Sequence, residues 1–287
     1  MFTREFVQRV LLPSAAGNPS FVADPITTMA RFLEPHIALW NADFASLQLL
    51  IGAGLLFRRS VRPALAVSFV WSFAVWWLSE GLGGLLTGTA SPLNGAPGAV
   101  LLYALIGALA WPRRASASDA GAGSAAAAGL IGARGARSAW AVLWLGSAAL
   151  LLQPANLHRG VLKGVVDAAA SGEPGWLARP LQDVSNALGP SGVTLTVVLS
   201  VLMAAISLGI AFAWHDGAFL AIAVVLALGI WVLGEGLGGI LTGTGTDPNT
   251  GPLLVLFAFA LHEGRTTRLR GLVPSLTPAL AGLGSAS

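Results

Sequence analysis

Two glutamates sit where a carboxylate is expensive. Glu80 and Glu235 each lie late in a long apolar run that predicts a membrane helix. Each opens the same decapeptide, Glu-Gly-Leu-Gly-Gly-(Leu/Ile)-Leu-Thr-Gly-Thr, at 80–89 and 235–244. An acidic side chain at the centre of a membrane helix costs roughly 2.5–3.5 kcal/mol on insertion scales, and less near a helix end. Such a group faces inward and takes a partner. One reading is a site for a cation, a proton or a polar ligand. The other is a structural acid bonded to nearby backbone or to Arg31, His36, His158 or Arg159. A polar turn follows each acid: Thr87, Thr89, Asn94 and Pro97 in the first copy, and Thr242, Thr244, Asp247, Asn249 and Pro252 in the second. With the acids, these turns make an oxygen-rich lining for a cation or headgroup, or else simple return loops. The candidate ligand-binding residues are therefore Glu80, Glu235, Thr87, Thr242, Asn94, Asn249, Asp247 and His36.

Other chemistries are excluded or lack support. The chain has no cysteine, which removes disulfides and thiolate metal sites. His36, His158, His215 and His262 show no i+3 or i+4 pairing, so neither a histidine metal site nor a haem pair is expected. Gly-Leu-Gly-Gly follows no strand and is not a dinucleotide fingerprint, and there is no phosphate-binding loop. No catalytic residue, metal or cofactor is expected. Gly84 and Gly88, like Gly239 and Gly243, have the spacing that lets membrane helices approach closely. Trp76 and Trp231 lie one turn before the acids, as packing residues or pocket walls.

The elements that must carry these residues are helices in a membrane. Of 287 residues, 55% are hydrophobic and only 10% charged. A water-facing surface needs more charge than that. Continuous apolar runs at 37–57, 64–86, 97–111, 139–153, 193–214, 218–241 and 252–261 predict an all-α, polytopic fold of about seven crossings. Arg58, Arg59, Arg62, Arg113, Arg114, Arg134, Arg137, Arg265, Arg268 and Arg270 gather on one side, which the positive-inside rule makes cytoplasmic. The two acids and their turns then face outward. The basic balance reflects topology rather than nucleic acid. The expected setting is the cell membrane, with lipid and membrane proteins or further copies of the chain as partners.

An internal repeat organises the whole. The offset 235 − 80 = 155 also pairs Arg4 with Arg159, Gly17 with Gly172, Pro19 with Pro174, Pro25 with Pro180, Trp76 with Trp231, Asn94 with Asn249 and Pro97 with Pro252, without a gap. Matching helices point the same way, so the repeats are parallel. Each unit is a four-helix-type module: one helix, a long outer amphipathic segment, then three helices. The expected divisions are residues 1–111, first repeat; 112–137, flexible cytoplasmic linker; 138–262, second repeat; and 263–287, cytoplasmic tail. The first copy lacks the leading helix that 139–153 supplies in the second. Its counterpart would precede Met1, which would give a native protein eight crossings.

This layout, with its glycine-rich turn before the last helix, resembles the DoxX/DoxD-like membrane proteins. It covers 139–262 as a unit and 4–107 as a partial one. The resemblance implies a membrane subunit near a quinone pool, of the kind associated with thiosulfate:quinone oxidation and other membrane redox assemblies. Without cysteine or a haem-like histidine pair, this chain would not itself hold the redox centre. The functional expectation is a membrane protein that binds a small or lipid-like ligand, a quinone among them, or supports a redox or assembly complex on the outer side. The competing class is an ion-coupled transporter or channel that uses the glutamate pair.

Overall fold

The computed structural model describes residues 6–112, 129–189, 192–243, 245 and 247–262. Most of the expected linker (113–128) and all of the tail (263–287) lie outside them. Among the described residues every regular element is helical. The principal ones are α1 (Leu12–Ala15), α2 (Ser20–Leu33), α3 (Ile37–Leu55), α4 (Val61–Leu78), α5 (Ala99–Ala110), α6 (Gly132–Leu151), α7 (Val161–Ala170), α8 (Gly175–Leu188), α9 (Gly192–Ala211), α10 (Asp216–Leu233) and α11 (Thr250–Leu261).

Three of these, α4, α9 and α10, are long and apolar enough to cross a membrane. Helices α3 and α6 have 19 and 20 residues. Helices α5 and α11 are apolar but only 12 residues each, which at ~1.5 Å per residue falls short of a ~30 Å hydrocarbon core. Large apolar side chains stand out from the bundle on many sides, among them Leu49, Val70, Val142, Val201, Val225 and Phe259. Water would penalise so much open apolar surface, whereas hydrocarbon would not.

Helix bounds recur along the chain. Helix α8 begins 175 − 20 = 155 residues after α2, and α10 begins 216 − 61 = 155 after α4, with equal lengths in each pair. The largest apolar core lies among α6, α9, α10 and α11, around Trp140, Trp144, Met203, Ile206 and Phe257. Trp140 meets Phe257 edge to face with ring centroids 5.2 Å apart, a favoured aromatic geometry. Helices α5 and α11 join the two halves through Ala99, Leu102 and Leu253.

The acids do not lie within helices. Helices α4 and α10 stop at Leu78 and Leu233, not at residues 86 and 241, and Glu80 and Glu235 occupy the turns beyond. Helix α6 starts at Gly132, inside the stretch expected to be linker, and Arg137 shows why. Its guanidinium bonds the Ile210 carbonyl at 3.1 Å and pairs with Asp216, tying this end of α6 to α9 and α10. Helix α4 is anchored at the same end of the bundle by Arg62, which donates to the Pro112 carbonyl at 2.9 Å. The segments expected to be outer and amphipathic fold as α1–α2 and α7–α8 and pack against the acidic turns.

Candidate functional site

The Gly-Leu-Gly-Gly motif is a left-handed turn. Gly81, Leu82, Gly83 and Gly84 have φ of 55°, 56°, 64° and 68°, and Gly236, Leu237, Gly238 and Gly239 have 54°, 55°, 72° and 65°. A left-handed conformation costs an L-residue roughly 1–2 kcal/mol and glycine almost nothing. Three glycines in four therefore end the right-handed helix and reverse the chain. Gly84, Gly88, Gly239 and Gly243 also have positive φ. They belong to the turns and do not form the helix-packing ridge their spacing suggested.

The turn is held from two sides. On the outer side, a Cβ on Gly81 would lie 2.2 Å from the Ser14 carbonyl, and one on Gly236 would lie 2.5 Å from the Ala169 carbonyl. The two outer segments therefore pack directly onto the two turns. On the inner side, Trp76 Nε1 donates to the Pro97 carbonyl at 2.8 Å and Trp231 Nε1 to the Pro248 carbonyl at 2.8 Å. Both tryptophans thus pin the loop leading to the last helix of their half. Thr87 and Thr242 each donate to a carbonyl three residues back, Gly84 at 2.7 Å and Gly239 at 2.6 Å.

These contacts do not keep the expected offset of 155. Trp76 bonds 21 residues ahead and Trp231 only 17. Glu80 bonds 20 ahead and Glu235 only 16. The first copy thus carries 21 − 17 = 4 more residues in this loop, and Pro97 matches Pro248 rather than Pro252. Apparent identity of Pro97 with Pro252 and of Asn94 with Asn249 hid the shift. The longer loop reaches into the other half: Asn156 Nδ2 donates to the Ala90 carbonyl at 2.9 Å, and Leu93 joins the core around Trp140.

Beside Glu80 this loop borders an open cavity of about 390 Å3. Its walls include Ser14, Asn18, Glu80, Thr87, Thr89, Ser91, Asn94 and Asn249, with Gly83, Gly84, Gly95 and Gly98 between them. Among the described residues, Glu80 is the one acid in this lining, and no lysine, arginine or histidine is present in it. Glu80 Oε1 accepts from the Val100 amide at 3.4 Å. Its Oε2 is enclosed and has no hydrogen-bond partner among the described residues, and the same is true of Asn18 Oδ1. A Cβ on Gly98 would come within 2.1 Å of Glu80 Oε2, so only glycine fits beside that carboxylate.

Glu235 is satisfied instead. Its Oε1 accepts from the Thr250 hydroxyl, and its Oε2 from the Gly251 amide at 3.2 Å. In the corrected register Ala99 stands where Thr250 does and offers no hydroxyl.

Of the residues picked out by sequence, Glu80, Thr87, Asn94 and Asn249 come together on the cavity wall. Asn249 arrives from the second half, where its Oδ1 also accepts from the Thr250 amide at 2.8 Å. Glu235 and Thr242 belong to the matching turn of the second half. Asp247 Oδ1 accepts from the Asn249 amide at 2.6 Å. His36 is exposed at the start of α3 and is not in the cavity lining.

Ser14, Asn18, Ser91 and Asn156 were missed. Asn18 had one signal: it follows Gly17, which the repeat pairs with Gly172, and its counterpart Glu173 is the buried acid between α7 and α8. Burial pushes the Glu173 carboxyl up. On the same outer segment, a hydrogen bond from Lys163 (2.7 Å) and another from Ser185 hold the Asp167 carboxyl below its usual value.

Comparison with protein-family models, with curated proteins and with solved structures finds no match to this chain.

Proposed function

We propose that this chain is a multi-pass cell-membrane protein that binds a small polar ligand, or the polar head of a lipid-like one, in the outward cavity beside Glu80. On this reading it has about seven crossings, arranged as two parallel four-helix-type repeats with a DoxX-like layout. Recurrence of helix bounds, left-handed turns and tryptophan bonds supports the duplication. The gathering of basic loops at the end opposite the acidic turns supports the orientation.

The observation that carries the reading is Glu80, which lines a polar cavity and whose enclosed Oε2 has no donor among the described residues. A buried acceptor left unbonded is costly, and a ligand that donates a hydrogen bond removes that cost. With one acid and no basic side chain among the described residues of the lining, the cavity favours neutral or cationic donors over anions. A quinone offers only acceptors and suits this wall less well than its dihydroxy, reduced form. A role in a membrane redox or assembly complex rests on the same site: the bound head would be the point of contact with that chemistry.

Ion-coupled transport through the glutamate pair is less favoured. Glu235 is already bonded by Thr250 and Gly251, so the two acids do not form an equivalent pair of open sites.

A thermal-unfolding panel tests the proposal, using detergent-solubilised protein with small amines, polyols and quinols, in wild type, Glu80→Gln and Glu235→Gln. At least one class should stabilise wild type and lose its effect in Glu80→Gln. A panel with no stabilising compound, or loss confined to Glu235→Gln, overturns it. Flux into proteoliposomes that vanishes in both variants, with folding intact, would establish transport instead.

A further inference from the structure

Several side chains that line the cavity beside Glu80 spend their hydrogens on the backbone and keep their oxygens. The Ser14 hydroxyl donates to the Leu11 carbonyl at 2.7 Å, and Asn18 Nδ2 donates to the Ser14 carbonyl at 2.9 Å. The Thr87 hydroxyl donates to the Gly84 carbonyl, so the Thr89 hydroxyl, 2.8 Å from Thr87 Oγ1, must donate to Thr87. Ser14, Asn18 and Thr89 are thereby left with acceptor lone pairs. Asn249 Oδ1 accepts one bond, from the Thr250 amide, and an amide oxygen can accept two. The lining is also negative. Glu80 belongs to it, and Asp247 of the second half is near enough for its charge to act on Glu80. The one bond to the Glu80 carboxylate, from the Val100 amide, is long at 3.4 Å. A terminal carboxyl torsion is broad and two-fold, so this loosely held group can turn an oxygen toward the cavity.

We propose that the group bound in this cavity is a primary ammonium, carried by a small free amine or by the head of an aminoalkyl lipid. The inference rests on the cavity reading above and narrows it to one chemical class. A primary ammonium brings three donors and one positive charge, which matches a lining of spare acceptors with one carboxylate. A neutral alcohol matches the acceptors but leaves the charge uncompensated, and hydrogen bonds to an ionised partner are roughly twice as strong. A quaternary ammonium has no donor and is held by aromatic faces, and no aromatic side chain lines this cavity among the described residues. A divalent metal ion takes six or more oxygen ligands, carboxylates prominent among them. Among the described residues no group of three or more acidic, histidine or cysteine side chains is placed to hold one. A bare monovalent ion would fill a small part of about 390 Å3, whereas an amine with a short carbon chain uses the space.

Matched probes test this on the full chain in detergent at neutral pH. Ethanolamine, choline and ethylene glycol share a two-carbon frame and differ in the group at one end. Ethanolamine should raise the unfolding midpoint saturably, and choline, ethylene glycol, sodium chloride and potassium chloride at equal concentration should not. Glu80→Gln should weaken the ethanolamine response about tenfold. The comparison of probes on wild type stands even where that variant fails to fold. An equal response to choline or to either salt, or a response unchanged in folded Glu80→Gln, overturns the proposal. A response to ethylene glycol or a quinol through Glu80, with none to ethanolamine, overturns it and leaves the cavity reading in place. No response to any compound removes both. Bilayer discs of phosphatidylcholine, with and without phosphatidylethanolamine, then separate the two sources. A midpoint raised by phosphatidylethanolamine, with the ethanolamine response suppressed, assigns the ammonium to a lipid head. An ethanolamine response equal in both discs assigns it to a free amine.

Discussion

Glu80 and Glu235 follow matching helices and open matching left-handed turns, but their carboxylates are bonded differently. Glu235 is held by the Thr250 hydroxyl and the Gly251 amide, while Glu80 is held by the Val100 amide alone. The difference traces to one side chain, Ala99, which stands in the place of Thr250. One acid thus has both oxygens bonded, and the other, which lines the cavity, has one oxygen without a donor among the described residues.

Ala99→Thr should transfer the Glu235 arrangement to Glu80. A hydroxyl at residue 99 would bond Glu80 Oε2 and stabilise the fold by about 1 kcal/mol, the net worth of one hydrogen bond. Thermal unfolding in detergent measures this. The variant should also cease to respond to any compound that stabilises wild type, and a preserved response would disconnect Glu80 from the ligand.

Thr250→Val keeps the shape of the side chain and removes the donor. The enclosed Glu235 Oε1 would then lack its partner, at a cost of about 1–3 kcal/mol. Thr250→Ser, which keeps the hydroxyl, should lose much less. Equal unfolding midpoints for the valine and serine variants would show that the bond contributes nothing.

Gly83→Ala and Gly88→Ala separate steric clash from backbone strain. Both residues have positive φ, but a Cβ on Gly83 would lie 2.0 Å from the Pro97 carbonyl, while one on Gly88 would meet nothing within 4 Å. Gly88→Ala should cost about 1 kcal/mol from conformation alone. Gly83→Ala should cost more than about 2 kcal/mol, because strain and a displaced loop add. Folded yield and unfolding midpoint compare them, and similar losses would argue against the close approach of Gly83 to Pro97.

Asp167 sets a pH dependence for the outer segment. Its carboxyl is held low by Lys163 and Ser185, so the folded protein keeps this proton off more readily than the unfolded chain, whose aspartates titrate near about 3.9. The contribution is complete above that unfolded value and is lost as pH falls through the lower folded one. The unfolding-midpoint difference between wild type and Asp167→Asn should therefore be present at neutral pH and disappear in strong acid. A difference that persists there would mean that packing, not charge, distinguishes the two.

Composition and apolar run length established the helical class and the broad order of elements, because the length and apolar character of a run are properties each segment carries by itself. The repeat was legible for the same reason: Glu-Gly-Leu-Gly-Gly recurs as a string, and the glycines it needs are dictated locally by left-handed backbone. Three features needed the assembled chain. The close packing of Ser14 on the Gly81 turn and of Ala169 on the Gly236 turn joins segments far apart in the chain. The true pairing of Pro97 with Pro248 is visible only through the tryptophan bonds, since a four-residue difference leaves a coincidental proline in the wrong register. The unequal state of Glu80 and Glu235 depends on residues 16–20 positions away. A carboxylate's bonding is decided by what distant backbone and side chains bring to it, and no string of neighbours records that.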